Sequence, residues 1–422
     1  MTQTAAASAT LLDTLPPPSA TSTSTSTRLV ARIRDEAEAL AAARKLAEDF
    51  RREAGLRDRE RKLPWDELER YVRSGLWGIS VPREYGGAGV SYGTLAEVIA
   101  IISAADGSLG QIPQNHFYAV ELIRVNGNET QKRFFFERVL QGDRFGNALA
   151  ELGTRTSHER KTSLTRNPHG PGYRINGRKF YATGALYADW VPTSVIDEQG
   201  VQQLAIVPRH AAGLTVIDDW SGFGQRTTGS GSAVFDNVQV PADAVIGFAS
   251  AFTRPTQIGP LAQILHAAID LGIARAAYAD LLEFVRTRSR PWIDSGVERA
   301  GDDPLTLREV GDLTIQLHAA EALLQRAGDR LDTAAAEPTE DSVAAASIAV
   351  AEARVLTTDV SLAAGSKLFE LAGSQATLAE HNLDRHWRNA RTHTLHDPVR
   401  WKYHAIGNYV LNGQKPPRHG AL

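Results

Sequence analysis

Between residues 145 and 247 the chain carries short β-prone runs separated by turn residues, with no stretch long enough to form a crossover helix. Parallel neighbours need connections of a dozen or more residues, so strands joined this tightly are expected to form an antiparallel sheet. The runs are 173–175, 179–182, 204–207, 214–217 and 233–240, with Asn176-Gly177 and Asp236-Asn237 as turn signals. On both sides the apolar period becomes helical. The expected fold is therefore an α+β multidomain chain. A disordered Ser/Thr-rich tail occupies 1–27, an N-terminal helical domain 28–144, a middle β-domain 145–250, and a C-terminal helical bundle with its extension 251–422.

The helical signals are specific enough to place elements. Ile33, Ala37, Leu40, Ala43, Ala47 and Phe50 mark one face of a first helix. Leu63-Pro64-Trp65 opens another with proline in the first turn, and Leu68, Tyr71, Val72 and Leu76 form its apolar side. Residues 95–105 read as a buried helix ending at Asp106-Gly107, and two more helical stretches run to about Gly142. Beyond Pro255, long helices are expected at 260–289, 307–336 and 339–372, followed by shorter ones to Asn412. Thr339 and Ser342 are N-cap candidates and Gly373 is the stop. Long helices with short joints predict antiparallel packing.

Composition excludes several classes. The chain of 422 residues has no cysteine and one methionine, Met1. Disulfides, thiolate nucleophiles, Cys-ligated zinc and iron–sulfur clusters are therefore out of reach. A net charge of −3 provides no basic field for nucleic acid or anionic lipid. No apolar run approaches the ~18 residues of a membrane span. The first residues lack the basic and apolar regions of a secretory signal, so the cytoplasm is the expected compartment. No G-x-G-x-x-G follows a predicted strand, and neither a P-loop nor G-x-S-x-G is present, which argues against a nicotinamide Rossmann unit and P-loop ATP chemistry.

Four polar constellations remain. Arg385 to Asp397 contains His393 and His396, three apart and on one face if helical. With Asp397 they make too thin a set for a metal site, and none is assigned. Asp397 before Pro398 also reads as an N-cap with proline at N1, and the two roles can coexist. Phe145-Gly146-Asn147-Ala148 sits where helices hand over to sheet, a usual place for a pocket. Lys179 to Gly184 contains Thr183, which β-propensity alone would explain. Trp220 to Gly231 combines glycines, hydroxyls and Arg226. It could cradle an anionic or ring ligand with backbone groups, or be a solvated turn.

Taken in order, these segments resemble the acyl-CoA dehydrogenase superfamily over about residues 30 to 415. The carriers are residues 75–89 (GLWGISVPREYGGAG), Asn176 to Gly184, and Arg226 to Gly231 followed by 234–241 (VFDNVQVP). The resemblance implies a helical N-terminal domain, a β-barrel-like middle domain, a C-terminal four-helix bundle and a homotetramer, with flavin between the last two domains. Where the dehydrogenases carry a Tyr-Glu-Gly whose Glu is the base, this chain has His396-Asp397-Pro398. Together with Gly146-Asn147-Ala148 and His393 to Pro398, this departure resembles the reduced-flavin monooxygenases of the fold, the dibenzothiophene monooxygenase (DszC-like) branch. Residues 105–110, Asn115-His116, 387–391 and 401–412 resemble bacterial sulfur-acquisition oxidoreductases of the SfnB type.

That resemblance implies two-component chemistry. A separate NAD(P)H:flavin reductase supplies FMNH2, and O2 adds to form a flavin C4a-hydroperoxide that oxidises a small organosulfur substrate. Asn147, Thr183 and His396 would surround the peroxide, with His393 and Asp397 orienting His396. Tyr181 and Trp220 would line the flavin, Arg290 would hold its phosphate, and His116 and Trp220 would face the substrate. Two alternatives stand beside it. One is an FAD-dependent acyl-CoA dehydrogenase-type enzyme with Asp397 as base, and the other a non-catalytic flavin-fold protein of sulfur starvation. The sulfur deficit fits a protein made when sulfur is scarce. Of 46 basic residues 38 are Arg, and the GC bias this implies would deplete Met only in part.

Overall fold

The computed structural model describes residues 28–156 and 159–422, and the tail expected at 1–27 lies outside the described residues. The N-terminal third is helical: α1 Glu36–Arg52, α2 Ala54–Glu60, α3 Trp65–Arg73, α4 Tyr92–Ala105, α5 Gly107–Gln111, α6 Gln114–Asn126 and α7 Glu129–Leu140. Asp106 ends α4 and caps α5, accepting from the Ser108 and Leu109 amides at 2.9 and 3.3 Å, while its other oxygen takes Arg57 Nε at 3.0 Å. Two details differ from the sequence pattern. Pro64 is the N-cap of α3 rather than its first helical residue, and α1 buries Ala39 and leaves Ala37 exposed, because the helix starts three residues after Ile33.

Seven strands follow: β1 Ser163–Arg166, β2 Tyr173–Lys179, β3 Trp190–Ile196, β4 Gln202–Pro208, β5 Leu214–Ile217, β6 Ser232–Val240 and β7 Val245–Gly247. They form one sheet in the order β5-β6-β2-β1-β3-β4-β7. The sheet is mixed, not antiparallel throughout. β1 meets β3 in parallel, and Phe145 and Ala148 form parallel bridges to Trp190 and Thr193. The parallel contacts need no crossover helix because the chain reaches them from the helical domain and from the β2 hairpin. Both expected turn signals lie inside strands. Asn176 faces two residues, Asp236 and Asn237, in a β-bulge where Asn237 takes φ 52° and its amide donates to Asn176 Oδ1. Residues 180–182, expected as strand, leave the sheet after Lys179.

The C-terminal part comprises α8 Ser250–Thr253, α9 Ile258–Thr287, α10 Pro304–Ala336, α11 Glu340–Ala372, α12 Asp384–His393 and α13 Arg400–Asn412. Thr339 caps α11 in a capping box whose reciprocal partner is Ser342, and Gly373 ends the helix at φ 80°. α9 is apolar on nearly every side and is buried accordingly; each fully buried leucine, such as Leu265 or Leu271, contributes roughly 2 kcal/mol. One continuous apolar core joins α1 and α4 to α9, α10 and α11, so the two helical parts flank the sheet as a common wall.

Candidate functional site

The sheet side of the site begins where β2 ends. Tyr181 sits at φ 55°, a left-handed conformation that costs a bulky residue of order 1 kcal/mol or more. Neighbours hold it there. Its carbonyl accepts from the Thr183 amide at 2.8 Å and from Asn147 Nδ2 at 3.1 Å, while Asn147 Oδ1 takes the Leu149 amide at 3.0 Å. Among the described residues, one amide N–H of Asn147 has no partner. Thr183 is buried, and its hydroxyl starts a chain: 2.7 Å to Ser230 Oγ, 2.6 Å from there to Thr228 Oγ1, which donates to the Gln225 carbonyl at 3.0 Å. Each hydroxyl has one proton. Since Thr228 donates to a carbonyl, Ser230 donates to Thr228 and Thr183 donates to Ser230. Thr183 Oγ1 is left with free lone pairs.

The loop 220–231 connects this wall to α12. Asn389 Oδ1 accepts the Gln225 amide at 2.6 Å, and Gln225 itself stands at φ 47°. At Gly224 a β-carbon would lie 1.9 Å from the Arg388 carbonyl, so only glycine permits the approach. Trp220 folds over Gly222, donates Nε1–H to the Gln225 carbonyl at 3.0 Å, and meets the exposed Tyr181 ring edge-on with centroids 6.2 Å apart. The loop is thus no solvated turn. It locks Trp220 and the hydroxyl chain against the helix that leads to His393.

The helical side is built from charges. Asp270 (α9), fully buried, accepts from Arg354 (α11), also fully buried, and from His393 Nδ1 at 2.5 Å. His393 Nε2 lies 2.9 Å from Nδ1 of His266 (α9), whose ring stacks on His396 with centroids 3.9 Å apart and planes at 38°. His396 is exposed, and its Nδ1 is 3.1 Å from Asp397 Oδ2, which also accepts from Gln263 Nε2 at 2.9 Å. Burial, then the neighbouring cations and histidines, push His266 and His393 well below their ordinary pKa, so both rings are neutral. Burial pushes Asp397 up, but the His396 contact and the nearby Lys402 and Arg354 outweigh it and hold its carboxyl well below the usual carboxylate range.

α12 stops at His393, so His393 and His396 are not brought together by a shared helical face; they converge through His266. Asp397 does not cap α13. That helix begins at Arg400 with Val399 at the cap and no side-chain bond, because the Asp397 carboxylate is turned inward. His116 is fully buried, its Nε2 bonded to the Trp77 carbonyl at 2.8 Å and its Nδ1 accepting the Phe145 amide at 3.1 Å. Burial lowers it to about 4, and it presents no free nitrogen to a ligand. Arg290 is exposed beyond the far end of α9; from His266 to Thr287 that helix runs about 30 Å. Gln263, His266, Asp270 and Arg354 were not anticipated, and Gln225 and Ser230 were expected only as members of the 220–231 run. A signal existed: Gln263, His266 and Asp270, at i, i+3 and i+7, form a polar stripe in the otherwise apolar first half of the helix.

His266, His396 and Asp397 each offer a ligand atom within 4.8 Å of the others. A cation there would face Arg354 and Lys402 and displace Gln263 from Asp397, so the charge balance opposes a metal. A planar ring ligand with edge N–H donors suits the other wall better: the Tyr181 and Trp220 rings flank it, and Thr183 Oγ1 and Asn147 supply acceptor and donor.

The acyl-CoA dehydrogenase N-terminal domain model matches residues 33–143 and the corresponding C-terminal domain model residues 264–401. Dibenzothiophene monooxygenase of Rhodococcus qingshengii is 37% identical over 407 residues, covering 91% of this chain and 96% of that protein. A probable FMNH2-dependent monooxygenase, SfnC, of Pseudomonas putida is 32% identical over 387 residues, covering 90% and 96%. The crystal structure of FMN-bound TdsC from Paenibacillus sp. A11-2 superposes with a TM-score of 0.87 at 32% identity, covering 91% of this chain and all of that one. The chain belongs to the acyl-CoA dehydrogenase family, in the branch that holds the dibenzothiophene monooxygenases.

Proposed function

We propose that this chain is a reduced-flavin-dependent monooxygenase acting on a small organosulfur compound, with FMN reduced by a separate NAD(P)H:flavin reductase and O2 as co-substrate. The observation that carries this reading is the state of Asp397. A dehydrogenase of this fold needs a carboxylate free to take a proton from its substrate, and an FAD-dependent enzyme using Asp397 would need the same. Here the carboxylate is buried, bonded to Gln263 and His396, and held in its ionised form, which makes it a poor proton acceptor. The hydroxyl chain adds support. It leaves Thr183 Oγ1 as an acceptor, suited to an N–H on the ligand; reduced flavin carries one at N5 and oxidised flavin does not.

Bound reduced FMN supplies the two electrons that activate O2. The protein's part would be to position and to exclude water: Thr183 and an N–H of Asn147 would hold the ring edge, and Tyr181 and Trp220 would cover it. His396, paired with Asp397, is the group placed to hand a proton to the reacting oxygen. His116 acts from beneath, fixing the Phe145–Asn147 strand rather than touching substrate. Arg290, exposed beyond the C-terminal end of α9, would hold the flavin phosphate, whether of its own chain's flavin or a neighbouring subunit's. A homotetramer accords with this and with the large apolar side chains exposed at Trp292, Ile293, Ile315, Val410 and Leu411. No helix among the described residues is long and apolar enough to cross a membrane, in keeping with a cytoplasmic setting.

The test is a stopped-flow mix of the protein with reduced FMN and oxygenated buffer. The expected result is a transient absorbance between those of reduced and oxidised FMN, followed, with a flavin reductase and an organosulfur panel, by an S-oxidised product. Reoxidation at the rate of free FMN, with no product, would overturn the reading. Bleaching of bound FAD by a thioester without reductase would establish the dehydrogenase instead.

A further inference from the structure

His266 lies in the polar seam between α9 and α12, and nothing in the reading above gives it a task. Its surroundings determine its protonation pattern atom by atom. Asp270, paired with Arg354, is an acceptor only, so His393 must present Nδ1–H to it. Arg354 already balances the Asp270 charge, and burial, then the nearby Arg354 cation, disfavours a second proton on His393, so the ring is neutral and its Nε2 carries a lone pair and can only accept. The proton in the 2.9 Å contact between the two histidines therefore belongs to His266 Nδ1. A neutral His266 then has an unprotonated Nε2, on the side of the ring away from His393. The same ring packs against His396 with centroids 3.9 Å apart and planes inclined at 38°.

We propose that His266 is a positioning residue: the chain Arg354–Asp270–His393 locks it in the Nδ1–H tautomer, and its face and unprotonated Nε2 set the ring orientation of His396. His396 is exposed, and among the described residues its one side-chain hydrogen-bond partner is Asp397, which fixes the ring at one atom and leaves it free to swing about that contact. The stacked His266 face removes that freedom. The arrangement also keeps a second proton out of the seam, since a charged His266 would confront Arg354 and Lys402. The consequence for turnover rests on the proposed role of His396; the tautomer does not.

Two measurements separate these parts. With histidine labelled by 15N in the ring, His266 of the unmodified protein is expected to show one protonated-type shift, at Nδ1, and one unprotonated-type shift, at Nε2. In His393→Gln the pattern is expected to collapse towards a tautomer average. An Nε2–H signature, or an average in the unmodified protein, would overturn the lock whatever the protein catalyses. His266→Phe keeps a stacked ring without the nitrogens, and His266→Asn keeps the donor towards His393 without the stacked ring. Both are expected to lose about tenfold or more in coupled product per FMNH2, with the excess appearing as hydrogen peroxide, at unchanged melting temperature. Unchanged coupling in a folded variant of either kind would overturn the positioning role. If one variant fails to fold, the other and the spectra still decide. If the unmodified protein makes no S-oxidised product, the proposed function fails while the spectra still test the lock.

Discussion

On the sheet side of the site, polar groups are held by backbone conformation. Tyr181 and Gln225 stand at positive φ, glycines allow the loop 220–231 to touch α12, and neutral hydroxyls pass one proton direction from Thr183 to Gln225. On the helical side they are held by charge. Arg354, Asp270 and Asp397 are buried and fix the histidines through charged hydrogen bonds. The first wall is cheap to lose in stability and costly in geometry. The second is the reverse, because an unpaired charge in a dry core is among the largest single penalties available.

Removing one partner of the buried pair is the severest test of that contrast. Asp270→Asn is expected to cost about 3–5 kcal/mol by denaturant unfolding, since Arg354 already has Nε and Nη2 without partners among the described residues. Asp270→Asn combined with Arg354→Met should recover much of the loss. If the single variant costs no more than a surface pair does, the seam is wetter than its burial implies.

His396 should respond in the opposite proportion, because it is exposed and lies outside the buried charges of its wall. His396→Ala is expected to lower product formation on the order of 10²–10⁴-fold with little change in melting temperature. Comparable losses in Tm and turnover would place His396 with the buried charges instead.

Acid should attack the helical side first. His116, His266 and His393 have folded pKa values depressed by burial, so below their unfolded value near 6.5 the unfolded chain binds more protons and stability falls as pH drops. Each contributes up to about 1.4 kcal/mol per pH unit below ~6.5, His116 until about pH 4. Asp397, with its folded pKa lowered, contributes stability that is complete above roughly pH 4 and is lost as pH falls further. Unfolding free energies at pH 7.5, 6 and 5 should fall with increasing slope. A flat profile would mean that these histidines become protonated without unfolding.

Smaller effects probe the sheet side. Thr183→Val leaves Ser230 without its donor and is expected to cost about 1–2 kcal/mol and most of the coupling to product, whereas Thr183→Ser keeps both. Away from the site, Asn237→Gly relieves the φ 52° residue of the β6 bulge and should stabilise by no more than ~1 kcal/mol. Destabilisation there would show that the Asn237 side chain matters more than its backbone.

Much of the molecule was legible in advance, for identifiable reasons. The long helices α9, α10 and α11 announce themselves through apolar period and caps such as Thr339 and Gly373. The order helix, sheet, helix follows from where that period changes. What failed was local. Asn176-Gly177 has turn chemistry yet lies in a strand, because it faces the β-bulge at Asp236-Asn237, where Asn237 takes the left-handed conformation of a turn. Asp397-Pro398 has capping chemistry, but Gln263 and His396 claimed the carboxylate.

The amino-acid sequence by itself determined the long helices, the order helix, sheet, helix, the absence of thiol chemistry and the family, because period, composition and ordered motifs are properties of the chain. It also carried Asn147, Thr183, His393, His396 and Asp397 as site candidates. Only the tertiary structure decided which groups share a proton. Gln263, His266 and Asp270 on α9 are more than a hundred residues from Asp397 and His393, and Arg354 comes from another helix. Such pairings depend on which faces pack together, and a buried charge accepts whatever partner packing brings within hydrogen-bond reach.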